Sequence, residues 1–191
     1  MRFFVPFRWI YQSFRRLKYR LLSDRGIVIG RPDKKQPVLF AGKGSIIFSG
    51  KTMLGYNPSP FFFNGIIYLE VRQEEARIVF GNNIFVNNNF VAICEKTEIN
   101  IGDNVLIGSN VEIIDSDFHE IHPKRRNSGK HVAKPVRIGK NVFIGSNVKI
   151  MKGVQVGENC VIANGAVLFD AFPPNVIIGG NPAVVLKSIV M

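Results

Sequence analysis

Aliphatic residues recur at every sixth position through much of the second half of the chain. The first positions of consecutive hexads are Ile138, Ile144, Ile150, Val156, Ile162 and Leu168. An earlier tract keeps the same phase at Ile101, Ile107 and Ile113, and a late hexad begins at Ile178. A period of six fits neither a 3.6-residue helix nor the continuous alternation of a long strand. It predicts short strands joined by tight turns, with each hexad forming one side of a three-sided coil.

Other positions of the hexad support the same coil. The fifth positions hold small apolar side chains: Val105, Val111, Val142, Val148, Val154, Cys160 and Ala166. We expect the first and fifth positions to point inward, and glycine at position two and asparagine or glycine at position four to supply the turn conformations. Stacked coils would pair each strand with its neighbours at about 4.8 Å. The pattern predicts a parallel β-helix, regular over residues 78–183 and irregular over 38–79.

The N-terminal segment has a different, helical pattern. Apolar residues spaced four and three apart form one stripe: Phe3, Phe7, Ile10, Phe14, Leu17 and Leu21. Residues 1–25 contain seven Lys or Arg and one acid, Asp24, so they carry +6 of the formal +11. We predict a basic amphipathic helix at 1–25 and a β-helix domain at 26–191. Two interpretations of the stripe remain open: contact with an anionic membrane surface, or packing on the β-helix or a neighbouring subunit.

Charge and cysteine content narrow the function classes. The excess of 25 Lys and Arg over 14 Asp and Glu indicates an anionic partner. No nucleic-acid motif is present and the basic residues cluster at the N-terminus and in one loop, so nucleic acid is not expected as a partner. Cys94 and Cys160 provide neither a disulfide framework nor metal-ligand spacing. We predict a cytoplasmic protein, and residues 1–25 leave open a peripheral contact with the inner face of the cytoplasmic membrane.

The repeat is interrupted between Ile114 and Val136. The inserted residues 115–135 contain all three histidines of the chain, His119, His122 and His131. Loops are where a solenoid of stacked coils carries its chemistry, and histidine suits general-base catalysis near neutral pH. Three histidines in one loop lack the well-spaced ligands of a zinc site, so no metal is expected.

The hexads and the loop resemble the hexapeptide-repeat acyltransferases. This resemblance implies a left-handed parallel β-helix, an exception to the usual right-handed crossover. Aligning the segment from Ile101 to His119 with the sugar acetyltransferases of that family places the family's essential histidine at His119. The resemblance implies that His119 is the general base. Asp115 or Asp117 would orient the imidazole; alternatively, both aspartates only cap turns.

The resemblance also implies residues that bind the two substrates. Gly145 and Ser146 match the segment that contacts the pantetheine arm of acetyl-CoA, and Asn164 matches a further backbone contact. The ending from Ile177 to Lys187 resembles the usual close of the family, and we expect Lys187 at its end to meet the phosphates of the cofactor because its charge suits them.

The resemblance implies an acceptor contact at one residue, because Asn88 aligns with an asparagine that contacts the acceptor sugar in relatives. His122, as a further histidine of the loop, is a second candidate for a substrate contact and could instead brace the loop. An acidic position of the relatives is Lys96 in this chain, so the acceptor itself is not identified.

The resemblance therefore implies a homotrimer with active sites between subunits. The predicted function is acetyl-CoA-dependent O-acetylation of a saccharide, such as a capsule or lipopolysaccharide precursor. Two alternatives remain: N-acetylation of a nucleotide-linked amino sugar, and a non-catalytic β-helix scaffold.

Overall fold

A computed structural model describes residues 5–24 and 26–190 of the chain. Within these ranges one α-helix, α1 (Val5–Leu22), precedes twenty short strands. The predicted stripe residue Phe3, and the basic residues Arg2 and Arg25, lie outside the described residues.

The strands form three sheets. The first sheet contains β1 (Val28–Ile29), β4 (Ser45–Phe48), β7 (Arg77–Phe80), β10 (Glu98–Ile101), β13 (Val136–Ile138) and β16 (Gln155–Val156). The second contains β2 (Asp33–Lys34), β5 (Thr52–Leu54), β8 (Ile84–Val86), β11 (Leu106–Ile107), β14 (Phe143–Ile144), β17 (Val161–Ile162), β19 (Val176–Gly180) and β20 (Ala183–Ser188). The third contains β3 (Val38–Gly42), β6 (Ile67–Val71), β9 (Val91–Cys94), β12 (Glu112–Ile114), β15 (Lys149–Ile150) and β18 (Val167–Leu168).

From β1 to β18 the chain visits the three sheets in turn, and within each sheet these strands pair in parallel with the strands of the adjacent coils. Only β19 and β20, at the C-terminal end of the described chain, are antiparallel. The first and fifth hexad positions predicted to face inward are all buried, with exposures of 4% or less. The predicted parallel β-helix and its inward-facing positions are therefore confirmed.

Asparagine at the fourth hexad position forms the corners of the coil. Asn104, Asn141 and Asn159 have φ of 57°, 57° and 59°, the left-handed conformation that asparagine tolerates better than β-branched residues. Their amides also stack from coil to coil: Asn141 Nδ2 donates to Asn159 Oδ1 at 2.9 Å, and Asn159 Nδ2 donates to Asn175 Oδ1 at 2.8 Å. The side chain thus fits the turn and joins neighbouring coils.

Glycine at the second hexad position has a different role from the one expected. Gly102 and Gly145 do not have positive φ. A Cβ on Gly102 would instead lie 2.9 Å from the carbonyl carbon of Gly139, and one on Gly145 would lie 2.4 Å from Asn164 Oδ1. Close approach of the next coil, and not the turn conformation, therefore requires glycine at this position.

Helix α1 packs against the first coils of the β-helix through its polar face. Gln12 is fully buried and donates to the carbonyl of Phe62 at 3.0 Å. Arg15 is 9% exposed and donates to the carbonyls of Phe62 and Gly65 at 3.2 and 2.6 Å. These side chains satisfy carbonyls of an irregular loop that would otherwise lack donors.

The apolar stripe of α1 consequently points away from the β-helix. Its described members Phe7, Ile10, Phe14, Leu17 and Leu21 are 52–68% exposed. The interpretation that this stripe packs on the β-helix of the same chain is therefore wrong, because the polar face occupies that contact. Within the two described ranges, no helix has the length and apolar character needed to cross a bilayer.

The asparagine stack predicts a graded loss of stability at Asn159. Replacing Asn159 by Ala removes both interamide hydrogen bonds and places a Cβ in a left-handed conformation, so we expect a loss of about 2 kcal/mol in the free energy of unfolding. Asn159→Gly removes the hydrogen bonds but tolerates the conformation, so its loss should be about 1 kcal/mol. Urea unfolding of both variants measures the difference. Equal stability of the Ala variant and the parent protein would contradict this account of the corners.

Candidate active site

The inserted loop leaves the β-helix at the corner between the third and first sheets, after β12 and before β13. Its two ends are joined at the base, where Ser116 and Ala133 form an antiparallel bridge and Lys134 N donates to the Asp115 carbonyl at 2.8 Å. The loop contains one short 3₁₀ helix, Pro123–Arg125. The coils continue undisturbed beneath it, because β10 pairs directly with β13.

His119 is exposed on this loop, and one of its ring nitrogens is engaged. Nδ1 lies 3.3 Å from the backbone carbonyl oxygen of Arg126. A carbonyl oxygen can only accept, so Nδ1 donates the hydrogen bond. In the neutral ring, Nε2 then carries the lone pair. A histidine that accepts a proton at Nε2 as a general base must be in this tautomer.

The residue before His119 has a strained backbone. Phe118 has φ of 58°, an outlier for a bulky side chain, and His119 N donates to the Asp117 carbonyl at 2.7 Å across this turn. The Arg72 guanidinium carbon lies 4.5 Å from the centroid of the Phe118 ring, within the range of a cation–π contact. Such conformations cluster at functional sites. Arg72 thereby stabilises the turn that presents His119.

Asp115 does not orient His119. Its carboxylate is fully buried and accepts hydrogen bonds from Glu95 N at 2.6 Å, Thr97 N at 3.0 Å and Thr97 Oγ1 at 2.8 Å. It therefore caps the turn between β9 and β10. Burial and this carboxylate together raise the pKa of the neighbouring Cys94 thiol to about 12. The prediction that Asp115 acts in catalysis is wrong, because its side chain points into the coil, like that of Ile113 two residues earlier.

Asp117 lines the cleft beside His119, but its carboxylate has another partner. Oδ1 lies 2.7 Å from Lys152 Nζ, and both side chains are 25% exposed. An aspartate was predicted to orient the imidazole of His119, but the Arg126 carbonyl does so instead. Lys152 was not predicted, because it comes from a regular hexad and nothing in the sequence distinguishes it from a solvated lysine.

An open cleft of about 990 Å³ adjoins His119 and brings together the three histidines of the loop. His122 lies before the 3₁₀ helix, where its Nδ1 accepts from Lys124 N at 3.3 Å. This geometry matches the bracing alternative for His122, while substrate contact by its remaining nitrogen stays a prediction. Lys96 and Lys130 also line the cleft.

The side chain of His131 is mostly buried. Both of its ring nitrogens are buried and lack a hydrogen-bond partner, and Nε2 lies 3.7 Å from Glu95 Oε1. Glu95 is itself bonded to Arg72 at 3.0 Å. His131 and Glu95 thus extend the group of side chains around Arg72 that supports the wall of the cleft.

The residues predicted to bind acetyl-CoA lie in the second half of the solenoid. Ser146 N donates to Asn164 Oδ1 at 2.8 Å, so the structure brings Gly145, Ser146 and Asn164 together in successive coils. Lys187 is exposed in β20, which follows β17 and β19 in the second sheet. Because these internal bonds also stack the coils, the cofactor role of the four residues stays a prediction.

Asn88 is fully buried, and its amide is engaged within the chain. Its Nδ2 donates to the carbonyls of Tyr56 and Pro60, both at 2.8 Å, and its Oδ1 accepts from Tyr56 N at 3.0 Å. Asn88 therefore holds the loop after β5. A contact between Asn88 and an acceptor sugar stays a prediction that this geometry does not support.

Across residues 5–24 and 26–190, no three His, Cys, Asp or Glu side chains are grouped so that they could hold a metal ion.

Comparison with known proteins identifies the repeat. The family model described as "Hexapeptide repeat of succinyl-transferase" matches residues 98–114 and 135–170. The galactoside O-acetyltransferase of Escherichia coli is 39% identical over 115 residues, which are 58% of this chain and 56% of that protein. The match thus spans little more than half the length of that relative.

Solved structures resemble the whole solenoid. The maltose O-acetyltransferase of Clostridium difficile aligns with a TM-score of 0.59 and 25% identity, covering 97% of this chain and 89% of that one. A galactoside acetyltransferase in complex with coenzyme A aligns with a TM-score of 0.57 and 24% identity, covering 100% of this chain and 84% of that one. The expected fold, a left-handed parallel β-helix of hexapeptide repeats preceded by a helix, is confirmed.

Proposed function

The chain belongs to the hexapeptide-repeat acyltransferase family, and we propose that it transfers the acetyl group of acetyl-CoA to a hydroxyl of a saccharide. The observation that carries this proposal is the geometry of His119, whose Nδ1 is held by the Arg126 carbonyl beside an open cleft. An imidazole held in this way offers its Nε2 lone pair to a bound substrate. The acetyltransferases that resemble this chain supply the reaction class.

In the proposed reaction, His119 Nε2 removes the proton of the acceptor hydroxyl as its oxygen attacks the thioester carbonyl carbon. A C–O bond forms, the C–S bond breaks, and the coenzyme A thiolate leaves and takes up the proton from the imidazolium. The Arg126 carbonyl stabilises the imidazolium by accepting from Nδ1. No covalent acyl-enzyme is required, so the chain needs no serine or cysteine nucleophile.

Acetyl-CoA is the proposed acetyl donor. Coenzyme A is present in one of the aligned structures. We propose that the exposed edge formed by Ser146 and Asn164 lies against the pantetheine arm, and that Lys187 meets a phosphate. Gly145 supports this assignment, because the absence of a side chain there lets the next coil approach closely and brings Ser146 and Asn164 together.

The charges of the cleft indicate a negatively charged acceptor. Its acids are already paired: Glu120 with Arg125 at 2.7 Å, and Asp117 with Lys152. Lys96 and Lys130 also line the cleft, and neither forms an ion pair with any residue that the structure describes. We propose that they bind a carboxylate or phosphate of the acceptor, as in an acidic unit of a surface polysaccharide.

We also propose that the protein is a homotrimer with active sites between subunits. One face of the solenoid, the second sheet, carries an outward apolar row, which runs in register through Met53, Phe85, Leu106, Phe143, Val161 and Ile177. Leu106 and Phe143 are 49% and 48% exposed. The third sheet instead places Glu112 and Lys149 in its outward row, where they pair. A continuous apolar row of this kind marks a protein interface.

Replacing His119 by Ala tests the base. We expect acetyl transfer to a saccharide, measured as coenzyme A release, to fall by about 10²- to 10⁴-fold because proton removal in the transition state is lost. His122→Ala is the matched control and should retain activity within about tenfold of the parent protein. Undiminished turnover of the His119 variant would contradict the proposed mechanism.

Replacing both Lys96 and Lys130 by Gln tests the charge of the acceptor. We expect the KM for a hexuronic acid glycoside to rise about tenfold or more, because two charge-assisted hydrogen bonds are lost. The KM values for a neutral galactoside and for acetyl-CoA should not change. Lys140→Gln, at an ion pair with Glu158 elsewhere on the solenoid, is the control. Equal KM increases for the acidic and neutral sugars would exclude charge recognition.

The apolar row predicts the oligomeric state. The parent protein should have the mass of three chains in light scattering, and replacing Leu106 and Phe143 by Lys should give single chains, because charges would be buried in the interface. Val167→Lys, in the outward row of the third sheet, is the control and should remain trimeric. A single-chain mass for the parent protein, or three chains for the double variant, would disprove this assembly.

A further inference from the structure

Helix α1 is docked with its polarity reversed from that of an ordinary surface helix. Ordinarily the apolar face of such a helix covers the core and its polar face meets water. Here Gln12 and Arg15 are buried against the β-helix. Phe7, Ile10, Phe14, Leu17 and Leu21, which we call the outward face of α1, are exposed. Five large apolar side chains on one stripe need a partner outside this chain.

The C-terminal end of α1 is held in this orientation by several bonds. Ser23 Oγ donates to the Tyr19 carbonyl at 2.7 Å and accepts from Phe40 N at 3.1 Å. Asp24 N donates to the Phe40 carbonyl at 3.0 Å, and the Asp24 carboxylate accepts from Gly42 N at 2.9 Å. The outward face is therefore presented by a helix anchored at both its middle and its end.

The charge around the outward face is entirely positive along the helix. The segment from Val5 to Leu22 contains five basic residues and no acid. Two of them, Lys18 and Arg20, lie next to the apolar stripe, on its two sides, at the 100° per residue of an α-helix. Trp9 and Tyr11 are 50% and 45% exposed and add the aromatic side chains that suit a lipid headgroup region.

A groove of about 590 Å³ runs between α1 and the first coil, beside the outward face. Its lining includes Arg16, Arg20 and Lys34, together with Leu17 of the stripe and the Asp24 carboxylate that is bonded to Gly42 N. Burial, and after it the nearby Arg20, lower the pKa of Lys34. A bound anion would offset the positive charge of the groove.

We propose that the outward face of α1 docks on a bilayer that contains anionic lipids, with the apolar stripe at the acyl boundary and Arg16, Arg20 and Lys34 on the headgroup phosphates. An 18-residue helix lying in the membrane plane would contact it over about 27 Å. A second copy of this chain fits the face less well. A two-fold contact between outward faces would bring the basic flanks of two helices together without any acid between them.

Flotation of the full-length protein with vesicles tests this docking. With vesicles of phosphatidylcholine and phosphatidylglycerol we expect the protein to float, and with phosphatidylcholine alone we expect at least about tenfold weaker binding. Replacing Phe14 and Leu17 by Asp should reduce binding to the anionic vesicles by about tenfold or more. Val184→Asp is the matched control, because Val184 is 55% exposed in β20, at the opposite end of the solenoid.

The groove is tested separately by replacing Arg20 and Lys34 with Gln. Binding to the anionic vesicles should fall about tenfold, while Arg137→Gln with Lys140→Gln, which removes the same charge elsewhere, should have little effect. Thermal unfolding and light scattering show whether each variant keeps its fold and its mass. The proposal is overturned if the parent protein does not float, if Val184→Asp weakens binding as much as the Phe14 and Leu17 pair, or if that pair instead changes the number of chains in the assembly.

Discussion

Parallel hydrogen bonding between successive coils is the constraint on which the rest of the structure depends. Each strand must meet the same backbone groups one coil above and one coil below, so every coil must have nearly the same path. Asparagine in the left-handed conformation at the corners and glycine where coils approach closely both satisfy this condition. Aliphatic side chains at two positions of each hexad then fill the interior. A coil under these constraints has little room for reactive side chains.

The chemistry therefore lies in the segment that leaves the stack. The loop between β12 and β13 departs at one corner and returns without shifting the register of the coils. It is still tied to the solenoid, because Arg72 lies over Phe118 and Asp117 pairs with Lys152. Side chains of regular coils thus position a loop whose own backbone carbonyl, that of Arg126, holds His119.

Much of the fold could be predicted from the sequence, because a strict period records which side chains face inward. The same reasoning could have placed Asp115 inside, two residues after the inward Ile113. The Arg126 carbonyl and Lys152 could not be predicted, because a backbone acceptor has no side-chain signature and a hexad lysine resembles any solvated one. The orientation of α1 also escaped prediction, because it depends on the carbonyls of Phe62 and Gly65, which Arg15 satisfies.

The proposed reaction requires that the loop hold neutral His119 with its proton on Nδ1 and its lone pair on Nε2. Nitrogen-15 NMR of the histidine rings tests it directly, because the two nitrogens of a neutral imidazole have well-separated shifts that identify the tautomer. We predict that neutral His119 has a protonated Nδ1 and an unprotonated Nε2. A protonated Nε2 in the neutral ring would contradict the role of His119 as the base, since that tautomer cannot take a proton from the acceptor at Nε2.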